Sequence, residues 1–281
     1  MLKIKYNILS SSFSFIGVGG KVKLYIETDD INVIKKILKV SKKIKYIGNT
    51  SNIFFSFFNS EYIYIKYINR DIRIDNFIEL GSSLSLNYVS HKMINLGLEG
   101  FEKISSIPGY IGGSLVNNAS CFNQCISDYL YKIICLDKYG NFIELYRNNI
   151  DFKHHFSSLR NDKILIIKAY FLKKFKSKEI LKLEKEKCKE IRMISQPVNK
   201  LTLGSTFRKY DDICIPKLIE DLNLKGKTKG GYKISNIHSN FIEIGKGDNF
   251  LNILSLIEET NQLLYNKLGY YIDLEIERIK R

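Results

Sequence analysis

Three glycine-rich turns carry the clearest chemical possibilities in this sequence. The first is Ile107-Pro108-Gly109-Tyr110-Ile111-Gly112-Gly113-Ser114, followed by Asn117-Asn118-Ala119. Glycine has no Cβ, so the amides of such a run can approach an anion closely, which is how glycine turns hold a pyrophosphate. The spacing is neither a Gly-x-Gly-x-x-Gly after a strand nor a phosphate loop ending in Gly-Lys-Ser/Thr, so neither of those readings applies. The second turn, Gly48-Asn49-Thr50-Ser51-Asn52, follows an expected strand and would present hydroxyl and amide groups at its end, where ligands commonly bind. The third, Gly17-Val18-Gly19-Gly20, precedes another strand. Any one alone is a structural turn as readily as a site. Three in one β-rich region favour a nucleotide-type cofactor.

The elements that must position these turns are short. Strands are expected at residues 22–26, 44–47, 62–65, 130–136 and 164–171, where β-branched and aromatic residues concentrate. Asp29-Asp30 announces a helix in which Ile31, Ile34, Ile37 and Leu38 recur at helical spacing, and a second helix is expected over 85–96. A charged amphipathic helix should run from about 177 to 194 and stop at Gln196-Pro197, because the residue before proline avoids the α region. Beyond it, helices at 215–221 and 248–267 alternate with strands at 232–234, 241–244 and 272–279. This pattern predicts an α+β region of two small lobes over residues 1–176, a linking helix over 177–195 and a smaller α/β domain over 196–281.

Composition narrows the rest. The 281 residues carry a formal charge of +15, yet the lysines are scattered, and the densest patch, between Lys173 and Lys189, is interleaved with Glu179, Glu184 and Glu186. That is a solvated helix face, so no nucleic-acid partner is expected. An Ile-, Lys- and Asn-rich chain with three Pro and no Trp also reflects an AT-rich genome, and part of the charge follows from that bias. No apolar run reaches the roughly eighteen residues of a membrane span. The start, Met1-Leu2-Lys3-Ile4-Lys5, lacks a signal-peptide pattern, so the expectation is a cytoplasmic protein with no membrane partner, and a monomer. The five cysteines are odd in number and lack zinc-ligand spacing, so reduced thiols and no metal are expected.

The motifs in series go further. Val18-Gly19-Gly20, Gly48-x-x-Ser51-Asn52, Gly97-Leu98-Glu99-Gly100-Phe101, Ile107-Pro108-Gly109-x-x-Gly112-Gly113 and Asn118-Ala119 resemble the FAD-domain motifs of the UDP-N-acetylenolpyruvoylglucosamine reductases, in that family's order. Gln196-Pro197, Gly204-Ser205-Thr206-Phe207, Leu218-Ile219-Glu220, Leu224-Lys225-Gly226, Gly230-Gly231, Ser235-x-x-His238-x-Asn240-Phe241 and Leu274-Glu275-Ile276-Glu277 are similar to its substrate-domain pattern. The resemblance covers nearly the whole chain. It implies a two-lobed FAD-binding domain of the vanillyl-alcohol-oxidase (PCMH) type followed by a small substrate domain, in the family's shorter form without a tyrosine-bearing insertion. It also implies a small-molecule reaction: NADPH reduces FAD, and the enolpyruvyl ether of a UDP-sugar then takes the hydride, a step of peptidoglycan precursor synthesis.

The same resemblance assigns residues. Ser205 falls on the proton donor and Glu277 on the catalytic glutamate, although alone the first reads as a turn hydroxyl and the second as a strand-surface carboxylate. Gly19, Gly20, Gly48, Asn49, Thr50, Ser51, Asn52, Ile107, Pro108, Gly109, Ile111, Gly112, Gly113, Asn118 and Ala119 fall on cofactor-binding positions, and Lys209, Lys225 and His238 on substrate contacts. Departures are specific. His155, in His154-His155-Phe156-Ser157, stands where the family has an arginine on the substrate carboxylate, with Arg160 five residues on. A guanidinium grips a carboxylate permanently, whereas a histidine is charged only near or below about pH 6.5. Thr50 and Ser120 replace glycines, and Arg208-Lys209-Tyr210 replaces Lys-Asn-Pro. Two rivals stay open at this stage: another FAD-dependent oxidoreductase acting on an alcohol or sugar, and a degenerate FAD-binding protein with weak activity.

Overall fold

The computed structural model describes residues 1–160, 164–210, 212–245 and 249–280. Its elements are mixed helix and strand throughout, an α+β chain. A four-stranded sheet runs in the order Leu2–Leu9, Lys21–Thr28, Asn59–Tyr67, Ile44–Tyr46, and its last pair is parallel, Ile44 opposite Ile63. The strand Leu2–Leu9 was not expected. Leu2, Ile4, Tyr6 and Ile8 alternate with Lys3, Lys5 and Asn7, which is a strand pattern, and the strand forms an edge of the sheet with nearly all of its side chains exposed.

Two compact units emerge. One comprises residues 1–6, 24–49 and 62–189; the other comprises 7–23, 50–61 and 190–281. In the first, an antiparallel sheet runs in the order Phe142–Tyr146, Leu130–Leu136, Leu165–Phe171, Ile78–Gly81, Ile72–Ile74. Helix α1 (Ile31–Val40) begins at Asp30, whose carboxylate accepts the Asn32 amide, and it buries Ile34 and Leu38 against Ile65, Leu136 and Ile167. Helix α2 (Leu86–Asn95) is capped by the Ser85 hydroxyl, and Leu86, Val89 and Met93 join Leu80, Phe101, Ile133 and Phe171 in the larger core. A short helix α3 (Ile111–Val116) starts inside the segment read as a glycine turn. Two consecutive glycines weaken the helical signal, which is why the sequence shows only a turn. Helix α4 (Lys178–Ser195) forms where expected and buries only Leu181 and Cys188.

The second unit is discontinuous in sequence for a definite reason. Ile53–Phe55 pairs in parallel with Glu277–Ile279 at the far end of the chain, register Ile53 opposite Glu277. Ile16, Val18 and Phe54 then pack with Leu203, Phe207, Ile215, Tyr232, Leu256 and Ile276 in a single core. Helix α5 (Ile215–Asp221), helix α6 (Phe250–Leu268) and a small sheet of Thr228–Lys229, Tyr232–Ile234 and Ile242–Ile244 complete it. The expected start of the last helix, Asp248, lies outside the described residues; α6 is capped by Asn249 and ends at Gly269, whose φ of 82° suits glycine. The expected strand over 272–279 shrinks to Glu277–Ile279. Its first half instead lies beside residues 206–208, through a bridge of Leu274 to Phe207.

Candidate functional site

The glycines separate into two kinds. At Gly19 and Gly20 the absent side chain makes room for protein. A Cβ on Gly19 would stand 2.1 Å from Ser10 Oγ, and one on Gly20 would stand 1.9 Å from the Phe57 carbonyl oxygen. Gly112 is similar, packed against Ser82 and donating its amide to the Ser82 carbonyl at 2.9 Å. Gly113 and Gly48 differ. Nothing lies within 4 Å of a Cβ on Gly113, and only the Tyr110 ring, at 3.9 Å, near one on Gly48. The fold therefore brings the Gly48 turn beside the 107–113 loop and leaves backbone open at both. That is a surface on which a flat dinucleotide can lie close to amides, so the residues present fit such a group.

The loop itself is stiff. The Leu86 amide donates to the Gly109 carbonyl and the Ile111 amide to the Leu84 carbonyl, at 3.0 and 2.9 Å. After α3, Asn118 is buried in left-handed backbone (φ 45°) and donates its amide nitrogen to the Lys153 carbonyl at 2.9 Å. Ser120 donates to the Asn118 carbonyl at 2.6 Å and sits in a hairpin, Ser120 opposite Cys125, whose turn residues Phe122 and Asn123 both have positive φ. The same end of α3 meets the hairpin that carries His155: Phe152–Lys153 pairs with Phe156–Ser157, and His154-His155 form its tip. Asn118 and His155 are thus neighbours through Lys153.

In the other unit the residues around Ser205 are fixed by backbone. Gly204 precedes it with φ 81°, a left-handed turn that favours glycine. The Thr206 amide donates to the Asn240 carbonyl at 2.7 Å, and the buried Asn240 side chain both accepts from the Phe207 amide and donates to its carbonyl. On the opposite edge the Glu275 amide donates to the Thr206 carbonyl at 3.0 Å, the Asn52 amide nitrogen donates to the Glu275 carbonyl, and the Glu277 amide donates to the Asn52 carbonyl at 2.8 Å. Ser205, Asn52 and Glu277 therefore belong to one stitched patch. The Ser205 side chain is half-buried, its hydroxyl makes no hydrogen bond among the described residues, and Glu277 is exposed. Asn240 was seen in the sequence only as part of a motif; its role as the clamp of this segment appears with the backbone.

Thr50 explains one departure. Its φ is 57°, so the position favours glycine, and a β-branched residue is strained there. The buried hydroxyl compensates by accepting the Phe15 amide at 2.7 Å. Lys225 pairs with Glu220 at 2.7 Å and so holds that carboxyl below its ordinary pKa, and Glu220 also accepts from Ser239. Burial pushes the nearby His238 imidazole below the usual histidine value, which makes it neutral near pH 7. Its Nδ1 accepts the Asn240 amide at 3.3 Å, so the proton of the neutral ring lies on Nε2. Lys209 is exposed.

Residues 196–279 match the family model for the UDP-N-acetylenolpyruvoylglucosamine reductase C-terminal domain. A UDP-N-acetylenolpyruvoylglucosamine reductase of Prochlorococcus marinus is 31% identical over 286 residues, spanning 99% of this chain and 98% of the relative. The chain belongs to this family. A further member of the UDP-N-acetylenolpyruvoylglucosamine reductase family, from Caldicellulosiruptor bescii, is 32% identical and covers 95% of the chain and 88% of its own length. The crystal structure of UDP-N-acetylenolpyruvylglucosamine reductase from Thermus caldophilus shares the fold over 100% of both chains, with a TM-score of 0.87 at 20% identity.

The Thr50 geometry makes a stability prediction. Thr50→Val keeps the shape but leaves the Phe15 amide without its acceptor, so denaturant unfolding should show a loss of about 1–3 kcal/mol. An unchanged unfolding midpoint would mean that the hydroxyl is not what holds this turn.

Proposed function

We propose that the chain reduces UDP-N-acetylglucosamine enolpyruvate to UDP-N-acetylmuramate at the expense of NADPH, with FAD as its bound cofactor. The observation that carries the reading is the end-to-end match to a reductase of this name, 99% of this chain against 98% of the relative. FAD, when bound, supplies the two-electron carrier that accepts hydride from NADPH and passes it to the enolpyruvyl group. The residues we assign to hold it are Gly48, Asn49, Thr50, Ser51 and Asn52, the 107–113 loop, Asn118 and Ala119, together with Gly19 and Gly20. Open backbone at Gly48 and Gly113 supports that assignment most directly.

The chain's own chemistry is a proton transfer. Once hydride arrives at the terminal enol carbon, the neighbouring carbon must gain a proton, and the Ser205 hydroxyl is the group we assign to deliver it. A hydroxyl is a weak acid, so its use depends on being held in place and on stabilisation of the enolate. The first condition is supported by the two-sided stitching of residues 206 and 207, and by a hydroxyl not spent on a protein acceptor. Glu277 we assign to the enolised carboxylate end. Lys209, Lys225 and the Nε2 proton of His238 we assign to the nucleotide diphosphate, with His238 acting as a neutral donor. His155 we assign to the substrate carboxylate, in place of the permanently charged arginine of the family.

Two outcomes test the proposal. In anaerobic stopped-flow, Ser205→Ala should leave flavin reduction by NADPH within about twofold of wild type and slow reoxidation by the enolpyruvyl nucleotide by at least about a hundredfold. Equal loss of both half-reactions would remove Ser205 as donor. Gly113→Ala meets no protein atom and replaces a helical glycine, so it should leave the melting temperature of the apoprotein unchanged or slightly raised and weaken FAD binding by about tenfold or more. Undiminished FAD affinity would take the 107–113 loop out of the cofactor site.

A further inference from the structure

We infer that Arg160 is a positioning residue that fixes the His154-His155 turn, and with it the His155 imidazole, against the C-terminal end of α3. The inference rests on the proposed function only for what the turn recognises; the geometry is independent of it. His155 has φ 50°, a left-handed conformation uncommon outside glycine though more accessible to histidine than to most residues, at the tip of a hairpin that hydrogen bonds tie to the helix end. Three side-chain hydrogen bonds make this tie, at Val116, at the helix cap Asn117 and at the following Asn118. Ser157 Oγ donates to the Val116 carbonyl at 2.7 Å, Arg160 Nη2 donates to Asn117 Oδ1 at 2.5 Å, and Asn118 Nδ2 donates to the Lys153 carbonyl at 2.9 Å. Arg160 is the only one of these that also reaches the turn residue itself: the same Nη2 donates to the His155 carbonyl over a longer 3.4 Å.

The charges nearby point to an anionic ligand. Lys153, His154, His155 and Arg160 gather on this hairpin, the two imidazoles 4.2 Å apart and nearly perpendicular. Asp151, exposed and 3.6 Å from the Lys153 ammonium, is the carboxylate paired with the group. Because Arg160 Nη2 is spent on Asn117 and the His155 carbonyl, we place Arg160 behind the turn and assign the imidazole to the substrate carboxylate. Arginine suits this task because its rigid fork reaches two acceptors at once, which a lysine ammonium does with less directional control.

A double-mutant cycle on the FAD-loaded enzyme tests this, with His155→Asn chosen because asparagine tolerates the left-handed backbone. His155→Asn should raise KM for the enolpyruvyl nucleotide about tenfold, and Arg160→Lys about three- to tenfold, with NADPH-driven flavin reduction unchanged in both. In the His155→Asn background, Arg160→Lys should add nothing further to KM. A penalty that persists there would mean that Arg160 touches substrate or acts only on stability, and would overturn the inference, as would an Arg160→Lys enzyme with wild-type KM. Should Arg160→Lys fail to fold, Asn117→Ser, which removes the main acceptor of the guanidinium, is expected to raise KM in the same way and to lose that effect in the same background. A wild-type protein that binds no flavin, or does not turn over the nucleotide, would instead refute the functional reading, so the two failures are told apart by the wild-type control.

Discussion

The placement of Ser205 and Glu277 depends on one set of hydrogen bonds, most of them between backbone groups. It runs from Asn240 to residues 206–207, from Thr206 to Glu275, and from Glu277 to Asn52. A serine becomes a useful acid only when its oxygen is held within a few tenths of an ångström of the atom it serves. A hydroxyl on a loose loop would not meet that condition. Here the neighbours of Ser205 are pinned on both edges, and the parallel pairing of Ile53–Phe55 with Glu277–Ile279 anchors the outer edge in turn. The buried carboxamide of Asn240 does what a strand partner would do, with both donor and acceptor satisfied by one residue, Phe207.

The glycine-rich segments illustrate how one residue type serves two ends. Gly20 lets two backbones approach within a distance that no side chain would permit, and Gly204 allows a left-handed turn. At Gly48 and Gly113 neither reason is found among the described residues, and the proposed cofactor site draws on that openness. Thr50 is the complementary case: glycine would be unstrained, yet the chain keeps a threonine because its hydroxyl caps the Phe15 amide. A departure from a family pattern can thus be compensated locally without altering the turn.

Much of this was legible in the residues. The helix announced by Asp30 forms as expected, and those near residues 85 and 250 form within a residue or two of their expected starts, capped by Ser85 and Asn249. The order of the glycine motifs carried the family resemblance. What could not be read is whatever depends on distant pairing. Nothing local says that residues 53–55 will lie beside 277–279, so the mixing of early and late segments in the second unit was hidden. The helix at 111–116 was masked by its own glycines, whereas the alternation in Leu2–Leu9 was readable and passed over. At the site, Arg160 was visible as a nearby cation. Its bond to Asn117 and the His155 carbonyl needed coordinates, because the link runs between a hairpin and a helix end 43 residues apart in sequence.

This polypeptide is proposed to pass hydride from NADPH to an enolpyruvyl nucleotide through a flavin that it binds. The most direct measurement is an anaerobic titration followed by visible absorption. The purified chain should be yellow, bleach with one equivalent of NADPH, and regain its oxidised flavin band when UDP-N-acetylglucosamine enolpyruvate is added. A colourless protein that takes up no FAD, or a bleached one that stays bleached until oxygen is admitted, would contradict the account.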